Sequence, residues 1–150
     1  AIGIEAYELK TLLDEAGFEA QSEAFTQAFL NHADQLTQTS VNYPTSEVKY
    51  EQSIVAPAVS CLLQAYQISG EQKYLEEARK QLKLLELFNG KQADYHLFEN
   101  AIRHWDGYWF GKCRLYGDPF PHYWRALTGN AYSDYGDIIG SNEYKKRADL

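Results

Sequence analysis

Arg103, His104, Trp105, Asp106, Gly107, Tyr108, Trp109, Phe110 and Gly111 follow one another without a break. This mixture suits a sugar. A sugar ring has an apolar face of C–H groups and a rim of hydroxyls. Trp and Tyr supply flat, rigid surfaces with a polar tip. Arg, His and Asp supply hydrogen bonds to the rim, and ionised partners strengthen them. A second group follows in Tyr116, Gly117, Asp118, Pro119, Phe120, Pro121, His122, Tyr123 and Trp124. All three tryptophans fall in these two groups. The plain structural alternative is a loop folded over the core, with its aromatics used as packing, since large aromatics usually go inside. The convergent polar residues favour a site, so the stretch from Tyr95 to Tyr135 is expected to face a carbohydrate.

Glycosidic cleavage by hydrolysis commonly needs two carboxyl groups flanking the bond. Asp106, Asp118, Glu99 and Glu51 are the candidates. Asp106 is expected as acid or base, with His104 beside it and Asp118 as the second carboxyl. His122 can give a proton or bind sugar. Trp105, Tyr108, Trp109, Tyr123 and Trp124 are expected to bind substrate, with Arg103 and Glu51. Asp118 can equally serve as a helix N-cap. A metal site built from His96, Glu99, His104, Asp106 and His122 is the rival reading, but the spacing follows no zinc signature. No nucleophile elbow and no phosphate-cradling glycine loop occurs. No cofactor is expected.

Helical patterns surround this region. Residues 4–16 carry Ile4, Tyr7, Leu9, Leu12, Leu13 and Ala16 and stop at Gly17. Residues 20–37 place Ala24, Phe25, Ala28, Phe29, Ala33 and Leu36 on one face, and Gln21, Glu23, Gln27, Asn31 and Asp34 on the other. Residues 41–46 hold Asn42 and Pro44 and read as a loop. From Ile54 to Ile68 the chain is apolar nearly all round, so this helix must be covered on most sides. Pro57 opens it or kinks it. Ser69 and Gln72 fit a capping box after the break. From Glu71 to Phe88 the pattern is sharply amphipathic, with Tyr74, Ala78, Leu82 and Leu85 inward. Glu71, Lys73, Glu76, Glu77, Arg79, Lys80, Lys83 and Glu86 are expected on the surface. Asn89 and Gly90 close this helix. A short helix over 95–103, a long loop or small β-hairpin at 108–116 and a helix resuming near Pro121 are expected next.

Sheltered helices alternating with wetted ones form layers, as in solenoids and α/α rings. A faint repeat supports this arrangement: Gly70, Tyr74 and Ala78 recur as Gly140, Tyr144 and Ala148, with Tyr66 and Tyr135 before the glycines. Glycine permits the turn, and Tyr and Ala at steps of four dock one helix on the other. The fold expected is all-α, with helical hairpins forming part of an α/α toroid in one domain spanning 1–150.

At 150 residues the chain can bury a core. The net charge of −7, without a clustered basic run, argues against a nucleic-acid partner. Lys145, Lys146 and Arg147 read as a solvated helix face. No stretch approaches the roughly 20 apolar residues that span a bilayer, so a soluble protein is expected, its compartment open. Cys61 and Cys113 lack metal-type spacing, and Cys61 is expected to be a buried inert thiol. The absence of Met suggests a segment of a larger protein.

The hairpin Ile54–Phe88 and the stretch Ile102–Trp124 resemble the six-hairpin glycosidase superfamily, which includes unsaturated uronyl hydrolases and related polysaccharide lyases. The likeness covers the chain from about residue 49. It implies an (α/α)6 toroid with sugar bound in a cup where inner helices begin, and cleavage of a glycosidic bond in a saccharide that can contain uronic acid. Asp106 and Asp118 rest on their chemistry, not on the likeness. Six hairpins need roughly 300 residues, and this chain holds about three. Its apolar flanks are therefore expected to meet another copy or the remainder of a longer chain. Two other functions remain open: a helical-repeat scaffold binding a peptide or protein, and a sugar-binding module. A scaffold would spread its aromatics through every repeat, whereas here they concentrate in one stretch.

Overall fold

A computed structural model describes residues 5–39, 52–85 and 124–149. Among them are six α-helices and no strand. They are α1 (Ala6–Glu15), α2 (Glu19–Thr39), α3 (Gln52–Ser69), α4 (Gln72–Leu85), α5 (Trp124–Ile139) and α6 (Asn142–Ala148). The all-α expectation holds. The loop at 41–46, the helix at 95–103 and the loop or β-hairpin at 108–116 lie outside the described residues.

Three helix pairs follow from three glycines. Gly17, Gly70 and Gly140 have φ of 76°, 71° and 68°, a left-handed conformation that a Cβ disfavours. Each ends the first helix of a pair. At Gly17, Phe18 N–H donates to Leu13 C=O (2.9 Å) and Gly17 N–H to Asp14 C=O (3.1 Å), the two bonds of a Schellman turn. Gly140 repeats this, with Ser141 N–H on Gly136 C=O (2.8 Å) and its own N–H on Asp137 C=O (3.3 Å). Gly70 uses the simpler form, one bond from its N–H to Tyr66 C=O (2.7 Å). The result is three hairpins, α1–α2, α3–α4 and α5–α6.

α3 is the centre. Val55, Ala56, Val59, Leu62 and Ala65 are fully enclosed, and Ala58, Ser60, Cys61 and Leu63 are buried with them. Such wrapping requires neighbours on most sides, and α1, α2, α4 and α5 all pack on it. Pro57 sits inside α3 and neither opens nor ends it. As the sixth residue of α3 it lies past the first turn, so its missing N–H leaves the Ser53 carbonyl without its usual helical donor.

α4 buries Tyr74, Glu77, Ala78, Gln81, Leu82 and Leu85. Glu77 corrects the expectation of a surface residue: it is 2% exposed. It lies three residues after Tyr74 and is therefore on the buried stripe. Its carboxylate accepts from Lys80 Nζ (2.9 Å) and Gln81 Nε2 (3.2 Å), which offsets the cost of burying charge. The capping box is also corrected. Ser69 ends α3, where its hydroxyl donates to Ala65 C=O (2.7 Å) and accepts from Glu71 N–H (3.2 Å). It therefore braces the turn instead of pairing with Gln72.

The repeat of Gly, Tyr and Ala occupies corresponding places in two hairpins, with different burial. Tyr74 and Ala78 are enclosed; Tyr144 and Ala148 are half-buried. Tyr144 meets Tyr135 edge to face (4.8 Å between centroids) and stacks beside Tyr132 (6.3 Å). Two glycines on α5 let α6 approach. A Cβ on Gly136 would stand 3.0 Å from Lys145 N, Lys145 Cγ and Ser141 O. One on Gly129 would stand 3.1 Å from Ala148 O. Gly→Ala in a helix interior normally stabilises by about 0.5–1 kcal/mol. Two of the atoms facing Gly136 are backbone and cannot rotate away, so Gly136→Ala is expected to lower stability instead, by about 1–2 kcal/mol. Urea unfolding of the two chains measures the sign.

The first hairpin is staggered against the second. Tyr7, at the start of α1, donates its N–H to Gln64 Oε1 near the end of α3 (2.8 Å). Asp34, late in α2, accepts from Tyr74 Oη (2.9 Å) and pairs with Lys73 Nζ (2.7 Å), both in the first turn of α4. The open end of α1–α2 thus meets the turn end of α3–α4. Asp34 keeps a solvent-accessible place on the polar face of α2 while making this contact. Phe29 and Ala33 are buried and Phe25 and Leu36 half-buried, but Ala24 and Ala28 are exposed. In the first half of α2, Ser22 is buried and Phe25 packs against the core from its edge.

Candidate functional site

Asp106, His104, Asp118, Trp105, Tyr108, Trp109, Arg103, His122, Tyr123 and Glu51 lie outside the described residues. Trp124 opens α5, and nothing of its side chain is described. The described residues form the frame that carries these candidates. Residues 86–123 leave from the end of α4 at Leu85 and return at the start of α5. Tyr132, enclosed in α5, donates its hydroxyl to Leu82 C=O in the last turn of α4 (3.4 Å). The last turn of α4 is therefore tied to the middle of α5. Glu51 immediately precedes α3, and His122 and Tyr123 immediately precede α5. Two sets of candidates thus adjoin the starts of the two helices that pack on each other at the centre.

The described ionisable groups serve structure. The hydrogen bond from Lys73, and then that from Tyr74, hold the Asp34 carboxyl below its ordinary pKa. Burial, and then the neighbouring Asp34, push Tyr74 up to about 12. Both groups keep their charge state at neutral pH, so this tie between hairpins does not titrate there. Burial pushes the Cys61 thiol up to about 11, which removes its nucleophilic thiolate near neutrality and matches the expected inert thiol. Asp134, half-buried on α5, is raised first by burial and then by nearby Asp137.

Sequence reasoning missed four buried polar groups: Ser22, Glu77, Gln81 and Thr128. The Thr128 hydroxyl, on α5, is enclosed without a hydrogen-bond partner. Position on the helical stripe was the available signal for Glu77 and Gln81, and residue type overruled it. Among the described residues no three His, Cys, Asp or Glu side chains gather as a metal site. The rival ligands His96, Glu99, His104, Asp106 and His122 lie outside them. Among the described residues no helix is long and apolar enough to cross a membrane.

These observations define an array of α-helical hairpins with an enclosed central helix and an aromatic stretch entering between the second and third hairpins. A solved structure of a polysaccharide lyase is similar to it, at 49% sequence identity over 93% of this chain and a TM-score of 0.74. The chain spans about a fifth of that lyase, 21% of its length. No protein-family model matches the chain, and comparison with curated proteins gives no match.

Proposed function

We propose that this chain is a helical-hairpin segment of a carbohydrate-active enzyme, part of an α/α toroid that cleaves an acidic polysaccharide by elimination. The supporting observation is the 49% identity with a polysaccharide lyase across nearly the whole chain. Identity at that level over 93% of the residues exceeds a shared fold, although it concerns a fifth of the neighbour.

Elimination assigns distinct tasks. A base removes the proton on the carbon next to a uronate carboxylate. The electron pair left behind forms a C=C bond, and the bond to the leaving glycosidic oxygen breaks. An acid then protonates that oxygen. Neutralising the carboxylate makes the first proton easier to remove, and Arg103 has the planar fork for this. His104 and Asp106 carry the proton transfers, with Asp118 as the second carboxyl. Trp105, Tyr108, Trp109, Tyr123 and Trp124 stack on sugar rings, while His122 and Glu51 bind hydroxyls.

The test uses the full-length parent protein on a panel of uronic-acid and neutral polysaccharides. Elimination leaves a conjugated double bond at the new end, read as ultraviolet absorbance growing with the number of chain ends. New reducing ends without that absorbance would show hydrolysis and overturn the elimination step. No cleavage of any member of the panel would sink the enzymatic reading.

A further inference from the structure

No further inference is drawn: the strongest candidate, the polar depression between α1 and α2 where Asp14, Glu19 and Glu23 gather beside Lys10, is an acidic cluster whose lysine already pairs with Asp14, and nothing in the structure points to a ligand there.

Discussion

Asp106→Asn in the full-length parent protein is expected to lower turnover of an acidic polysaccharide by about a hundredfold or more, with little change in KM. Proton transfer by a positioned side chain contributes about 10²–10⁴-fold. Asn keeps the size and an acceptor oxygen but cannot exchange a proton. Sugar stacking on Trp105 and Trp109 should survive, which separates chemistry from binding. Trp109→Ala is the counterpart, expected to raise KM more than it lowers kcat. Unchanged turnover in Asp106→Asn on every cleaved substrate would remove Asp106 from the reaction. His104→Ala compared with it then tells whether the histidine carries the transfer instead.

Leu62→Ala is expected to cost about 3 kcal/mol, seen as a lower urea midpoint and a Tm reduced by about 10 °C. Leu62 is fully enclosed in α3, and a cavity there is bordered by a helix packed on from four others. Relaxation into the void would have to move several helices together, so the cavity is expected to stay open and its cost to be felt. Leu9→Ala is the control. Leu9 is 40% exposed and should cost well under 1 kcal/mol. Equal effects at both positions would contradict the enclosed-centre arrangement.

The helices were legible because their signals are local. Gly17, Gly70 and Gly140 end helices in the sequence and carry the left-handed turns in the structure. The unbroken apolar run around Leu62 announced a helix needing cover on most sides. Errors arose where residue type and position disagreed. Glu77 was placed outside because it is charged, although its place on the helix was inward. Asp34 stays solvent-accessible as expected, but its partners Lys73 and Tyr74 are about forty residues away, beyond any local pattern. The stagger of the first hairpin depends on such distant contacts and left no periodic trace. The chemistry of the site was legible only as a concentration of residue types between Arg103 and Trp124. The described helices bound that stretch at Leu85 and Trp124, whereas the periodic patterns set the bounds at Phe88 and near Pro121, which lie outside the described residues.

The short turns within hairpins and the longer stretch of sequence between the second and third have an evolutionary reading. Within each hairpin the crossing takes a few residues around one glycine. Between the second and third hairpins the chain spends residues 86–123. Lengthening a connection between two packed helices costs little in general, ~0.6 kcal/mol per doubling. Segments of other lengths and compositions could therefore be exchanged between Leu85 and Trp124 while the helices stay as they are. Exchange there would leave the packing of the described helices unchanged, so frame and stretch can drift independently.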